Sequence, residues 1–214
     1  MLVFDIGYNH GNFSKEILKL YPSAKIIGVE GHPAYEQLYH TNPDTRIEFV
    51  SGVVSDVQDT DISFFICDSN PGINSINPRW MNSIRHNHFF NLTKREMMVR
   101  SYTLDQLILK YGKPNIIKLD IEGAELSALR GLTNKSDILL FEWCEELFDD
   151  AVKCVERLQT LGYTVFANDH HWEGATDKVI EYNTNLQYYP WDMLKTQIDI
   201  DPHRKKRWGM IYAM

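Results

Sequence analysis

The chain has 214 residues, 43% hydrophobic and 24% charged, which suits one sizeable domain with a full core. Its formal net charge of −7 argues against a general nucleic-acid binder, whose affinity rests on neutralising phosphates. No apolar run approaches membrane-spanning length and no signal peptide precedes the first apolar run. The three cysteines lack C-x-x-C spacing, so the chain reads as cytoplasmic, with buried free thiols and neither membrane nor nucleic acid as partner.

Residues 2–7 read as a buried strand ending in Asp5-Ile6-Gly7, and a helix over 12–21 follows Gly11, closed by Pro22. Residues 25–30 are a second apolar strand ending in Glu30. A short helix over 33–40 starts at Pro33, a favoured first-turn position, and 47–55 is a third strand. This βαβαβ order implies an open, mostly parallel sheet with helices on both faces. The apolar run 62–67 has no helix before it, and 96–102 reads as a strand returning to pair with it, an extra β-hairpin. Between them, 69–92 is rich in Asn, Pro, His and aromatic residues, and so long an irregular segment is usually functional. The alternation resumes with a helix over 104–110, a strand over 115–120, a helix over 124–130, a strand over 137–142 and a helix over 149–161 stopped by Gly162. Strands over 163–167 and 208–212 complete a seven-stranded sheet, and 168–206 reads mostly as loop with an aromatic cluster. The basic run 204–207 reads as a solvated turn. With no internal repeat and no linker, residues 1–214 form one α/β domain: a core over 1–145 and two substrate segments, 69–92 and 168–206.

Two constellations carry chemistry. Gly7 and Gly11 let the backbone approach a ligand closely, and the helix that follows offers free N–H groups to an anion. The dinucleotide fingerprint would need glycine at position 9, which is Asn9. Asp5 and Glu30 sit at the ends of adjacent parallel strands, where ligands of open α/β sheets lie. The second constellation is Lys118-Leu119-Asp120-Ile121-Glu122-Gly123-Ala124-Glu125, three acids at a strand-to-helix transition. Glu125 is explained by the helix dipole, whereas Asp120 lies beside the ligand crevice.

Here the chain resembles a known family. Val3-Phe4-Asp5-Ile6-Gly7-x-Asn9-x-Gly11-x-Phe13-Ser14 resembles motif I of class I S-adenosylmethionine-dependent methyltransferases. Ile117-Lys118-Leu119-Asp120-Ile121-Glu122-Gly123-Ala124-Glu125 resembles the signature of the FkbM-type O-methyltransferases. Val50-Ser51-Gly52-Val53-Val54-Ser55-Asp56, Gly72-Ile73-Asn74-Ser75-Ile76, Arg100-Ser101-Tyr102-Thr103-Leu104-Asp105 and Leu140-Phe141-Glu142 are similar to further family segments, in the family's order. Tyr8 and His10 depart from the small or apolar residues common in the glycine loop, and Gly31-His32-Pro33 from the usual continuation after the strand-two acid.

The resemblance implies a Rossmann-like class I methyltransferase fold with S-adenosylmethionine as cofactor. On that basis Glu30 holds the ribose hydroxyls, having two acceptor oxygens for a diol. Gly7, Tyr8, Asn9, Gly11 and Asn12 surround the methionine part, while Asp5 orients the loop or takes the amino group. Gly31, Gly52 and Val53 wall the adenine, and Asp120 lies near the ammonium or sulfonium end. An acceptor hydroxyl needs a positioned base or a metal. The base candidates are Glu122, Glu142, His170 and His171, with Asp120 beside them. Asp120 and Glu142, ending neighbouring strands, either hold Mg²⁺ or Mn²⁺ or act simply as hydrogen-bonding acids. Ser75, Trp80 and Trp172 are the residues expected to touch substrate. The aromatic residues of the two long segments suit sugar rings, and the family resemblance implies O-methylation of small metabolites or glycans. The reading is therefore O-methylation of a sugar or glycan hydroxyl. A non-sugar small molecule, protein or RNA cap as acceptor, or a non-catalytic adenosylmethionine-binding module, stands as the alternative. Oligomeric state is open, a homodimer included.

Overall fold

A computed structural model of the chain describes residues 1–82, 94–168, 170–171, 189–197 and 207–214. In chain order the first elements are β1 (Leu2–Ile6), α1 (Asn12–Leu20), β2 (Lys25–Glu30), α2 (Pro33–Thr41), β3 (Ile47–Ser51) and β4 (Val53–Val54). The hairpin strands β5 (Thr60–Cys67) and β6 (Lys94–Tyr102) are separated by the short helix α3 (Pro78–Met81). Then come α4 (Leu104–Tyr111), β7 (Ile116–Leu119), α5 (Glu125–Arg130), β8 (Ile138–Cys144), α6 (Phe148–Thr160) and β9 (Val165–Ala167). The last described elements are β10 (His170–His171), β11 (Tyr189–Pro190), α7 (Trp191–Gln197) and β12 (Arg207–Ala213).

The main sheet runs β11-β9-β12-β8-β7-β1-β2-β3, with β10 beside β12. From β3 to β8 neighbouring strands are parallel, and β12 is antiparallel to both β8 and β9. Seven of these strands are those expected from sequence; the two-residue strands β10 and β11 add to that edge. The hairpin pairs antiparallel as expected but belongs to a separate three-stranded sheet, β4-β6-β5. The expected strand over 47–55 is not continuous. It breaks at Gly52, whose φ of 141° bends the chain so that Val53 and Val54 pair with β6. A Cβ at Gly52 would lie 2.5 Å from the Arg100 carbonyl oxygen and 2.7 Å from the Tyr102 ring. The segment 168–206 is not simply loop either: α7 lies within it, and its Trp191 is buried against Phe148, ring centres 5.8 Å apart.

Strand alternation sends successive side chains to opposite faces. Phe4, Ile6, Ile117, Leu119 and Ile27 face one way and pack with Leu104, Leu107, Leu129 and Val155 of α4, α5 and α6. Val3 and Ile26 face the other way and pack with Ile17 and Leu18 of α1. Asp5 shares the α1 face by the same parity, and the register Asp5↔Lys118 puts a lysine beside it. Local signals fix the helix starts: the Thr103 hydroxyl caps α4 by accepting from Gln106 N–H at 3.1 Å, and His32 Nδ1 caps α2 by accepting from Ala34 N–H at 3.1 Å. All three cysteines are free and buried. No helix among the described residues is long and apolar enough to cross a membrane.

Candidate cofactor and acceptor site

Two strand-to-helix loops meet where β1 and β7 end. A Cβ on Gly7 would lie 1.9 Å from the Asp120 carbonyl oxygen, so only glycine lets the loops touch. Both loops use left-handed backbone: Gly7, Asn9 and Gly11 at φ 80°, 51° and 68°, and Glu122 and Gly123 at 56° and 83°. Asn9 and Glu122 adopt it without being glycine, a conformation that clusters at ligand sites.

Lys118 ties the loops together. Its Nζ lies 3.1 Å from Asp5 Oδ1, 3.2 Å from Asp120 Oδ2 and 3.0 Å from the Gly7 carbonyl oxygen. An ammonium has three protons, which matches three acceptors. Asp5 is fully buried, and its other oxygen accepts from the Ser14 hydroxyl of α1 at 2.6 Å. Burial pushes the Asp5 carboxyl up, and the Lys118 ammonium and Ser14 hydroxyl pull it back. Asp5 thus holds the loop from beneath. Asp120 has a side chain 46% exposed and reaches the cleft.

The cleft occupies about 600 Å³, counted to its open mouth. Its floor is Gly7, Asn9, Glu30 and Asp120, and Gly31, Gly52, Val53 and Phe64 form an apolar slot at one end. Glu30 is buried; its Oε1 accepts from His32 N–H at 2.8 Å and its Oε2 from Asn9 N–H at 2.9 Å. Burial pushes its carboxyl up, and these N–H groups oppose that. Each oxygen keeps one lone pair for a ligand hydroxyl. Residues 71–77 cross the cleft as a strap. Ser75 pairs its backbone with Phe65, the Ser75 hydroxyl reaches the Ile121 carbonyl at 3.4 Å, and Asn77 Nδ2 donates to the Gly123 carbonyl at 2.5 Å.

These residues fit the adenosylmethionine that the resemblance implies. A two-oxygen acid faces the cleft beside an apolar slot lined by Gly31, Gly52, Val53 and Phe64, in which Val53 and Phe64 pack closely against Gly31. Asn9 Oδ1 is buried without a protein donor on the cleft floor, and Asp120 adds negative charge there, as a cationic ammonium and sulfonium require.

A second pocket, about 460 Å³, opens beside the first and shares Asp120 and Glu122 with it. Glu142, Trp80, Phe141, Trp143 and Glu125 line it too. Trp80 is buried among Cys67, Ile73, Met81, Cys144 and Leu147, so it is core and pocket wall at once. Glu125 is more than a helix-start acid. Its carboxylate turns back to accept from Ile121 N–H at 3.2 Å, and burial pushes it up to about 7.

Other expected residues land elsewhere. The Tyr8 ring does not line the cleft: it lies beneath the loop, filling the space left open by Gly11 and Gly28, edge-on to Tyr39 and Phe49. Gly11 and Asn12 shape that turn but are not in the cleft wall. Ser75 lines the cleft, but its hydroxyl also accepts from Asn77 N–H at 2.9 Å, so it is already committed to protein partners. Among the described residues no group of three His, Cys, Asp or Glu side chains is arranged to hold a metal ion, and Lys118 takes one face of Asp120. An Asp120–Glu142 metal site is therefore not supported. His170 and His171 lie on β10, paired with β12. Their side chains, and Trp172, lie outside the described residues. Lys118 and Asn74 do not stand out in the sequence, though both lie inside segments similar to the family's. The signal for Lys118 is a charged residue within an apolar strand; the structure places it in direct register with Asp5.

The family model for the methyltransferase FkbM domain matches residues 5–189. "Methyltransferase 1" of Beauveria bassiana is 24% identical over 189 residues, covering 79% of this chain and 75% of that protein. Among solved structures, a precorrin-6y C5,15-methyltransferase from Geobacter metallireducens matches the whole chain and 79% of its own, at 12% identity and a TM-score of 0.50, which is a likeness of fold. Fibrillarin from Aeropyrum pernix, solved with S-adenosyl-L-methionine bound, matches the whole chain and 65% of its own at 12% identity and a TM-score of 0.44.

Proposed function

The chain belongs to the FkbM methyltransferase family and is an S-adenosylmethionine-dependent methyltransferase, and we propose that its acceptor is a sugar or glycan hydroxyl. The observation that carries this reading is the junction of the two pockets, where Asp120 and Glu122 line both and the second continues between carboxylates and indole rings. Carboxylates accept hydrogen bonds from sugar hydroxyls, and Trp80 and Trp143, 5% and 2% exposed, form the packed back wall of the pocket.

When bound, the sulfonium supplies an activated methyl group together with its own leaving group. The chain supplies orientation and a proton acceptor. Glu30 holds the ribose diol, Asn9 Oδ1 and Asp120 face the cationic end, and the strap 71–77 narrows access for water. Asp120 shares its charge with the Lys118 ammonium, 3.2 Å away. Glu122 lines both pockets and is the residue that takes the acceptor proton as the oxygen attacks. Glu142 lines only the second pocket of the two and orients the acceptor.

Incubation with methyl-labelled adenosylmethionine and a panel of glycans, phenols, proteins and RNA tests the reading. Label on sugars is the expected outcome, and label only on one of the other classes defeats it. Glu122→Gln lowers kcat by about 10²-fold or more while adenosylhomocysteine still binds. Absence of adenosylmethionine binding to the wild-type chain in calorimetry would instead point to a scaffold that has lost catalysis.

A further inference from the structure

The strap over the cleft contains a polar group that the protein leaves without a partner. Asn74 is 91% buried, being 9% exposed, and lines the cleft. Its Oδ1 accepts from Cys67 N–H at 2.8 Å. A backbone N–H can only donate, so this bond fixes which end of the amide is oxygen. The NH₂ end then points away from Cys67, and Nδ2 has no partner among the described residues. A buried donor with no acceptor is expensive and needs an explanation, and a ligand acceptor is one.

Several N–H groups around the cleft are already engaged. The N–H groups of Gly7, Gly52 and Asp120 go to backbone carbonyls, those of Asn9 and His32 to Glu30, and that of Ile121 to Glu125. The Ser75 hydroxyl is committed to Ile121. Glu30, Asp120 and Asn9 Oδ1 present acceptors, which suit the ribose hydroxyls and the ammonium. What remains of the cofactor to be met by a donor, away from the charged end, is the lone-pair edge of adenine. Asn74 lies on that side: the next strap residue, Ser75, pairs with Phe65, Ile76 packs with Val53 and Phe64, and the Phe64 ring lies 3.2 Å from where a Gly31 Cβ would be. Phe64, Gly31 and Val53 form the apolar slot.

We propose that Asn74 reads the cofactor's base by donating from Nδ2 to a ring nitrogen of adenine. The inference concerns cofactor recognition and is independent of which acceptor is methylated, so a failed glycan assay leaves it standing. In this role Asn74 also couples base binding to the strap, because the same loop is tied through Ser75 and Asn77 to the Ile121 and Gly123 carbonyls. A filled adenine slot thereby holds the strap across the cleft.

Calorimetry with S-adenosylhomocysteine and its 1-deaza, 3-deaza and 7-deaza adenine analogues tests this, on wild type and on Asn74→Asp. Aspartate keeps the oxygen that accepts from Cys67 and replaces the donor by an acceptor. Expected is a loss of about tenfold or more in adenosylhomocysteine affinity for Asn74→Asp. With one of the deaza analogues that loss shrinks to within about twofold, because the ligand no longer carries the atom Asn74 meets. Affinity unchanged by the substitution, or an equal loss with all three analogues, overturns the proposal. If the aspartate variant does not fold, Asn74→Ser takes its place in the same cycle, being too short to reach the base.

Discussion

The two loops that meet at the cleft are built alike and do different work. Each follows a parallel strand, each carries an aspartate near the strand end, and each uses left-handed residues to turn into a helix. In the first loop the acid is Asp5, inside β1, fully buried and satisfied by Ser14 and Lys118. In the second it is Asp120, one residue beyond β7, with its side chain 46% exposed. A difference of two register positions turns one carboxylate into a foundation and leaves the other for the ligand. Lys118 stands between the two carboxylates, 3.1 Å from Asp5 and 3.2 Å from Asp120.

Lys118→Met is the sharpest way to break the pair. It strands Asp5 as a buried charge, and the expected loss is about 3–5 kcal/mol of stability in urea unfolding. Adding Asp5→Asn restores part of that loss, since the charge left unpaired is gone. A loss below about 1 kcal/mol would mean that Lys118 does not bear on Asp5 as its 3.1 Å contact indicates.

Glu125→Gln probes the second loop through pH. The Glu125 carboxyl is pushed up to about 7 by burial, so the folded chain holds a proton there that the unfolded chain releases near 4.5. Stability therefore falls as pH rises from about 4.5 to about 7, and the full penalty, about 3 kcal/mol, is present above that window. The glutamine variant escapes this penalty. It melts higher than wild type at pH 8, and the difference closes toward pH 4.5. Equal melting profiles across that range would show that the Glu125 carboxylate is not held away from water.

Ser75→Ala is the mildest test. Removing the hydroxyl leaves Asn77 N–H without its acceptor, for a stability loss of about 1 kcal/mol. Adenosylhomocysteine affinity stays within about twofold, because the hydroxyl is spent on the strap and not on the ligand.

Much of this was legible in the sequence. The strand and helix positions follow apolar runs punctuated by Gly and Pro, Glu30 and Asp120 read as acids at strand ends, and Glu122 reads as an acid of the strand-to-helix turn. Tyr8 was misplaced because nothing local says that its ring fills the gap over Gly28, twenty residues away. The break at Gly52 was hidden because Val53 and Val54 suit any strand, and the partner that captures them, β6, comes almost fifty residues later. Trp191 reads as a substrate aromatic in a loop-like segment and is packed against Phe148, while Trp80 is at once core and wall of the second pocket.

The sequence alone determined the order of elements, the family and the acids of the cleft, because hydrophobic period and turn residues are local and the motifs are contiguous. Tertiary structure decided which of those acids serve the fold and which face the ligand. Asp5 and Asp120 are the same residue type in similar loops; only strand register, which puts Lys118 beside Asp5, and burial, which closes over one and not the other, assign them different roles.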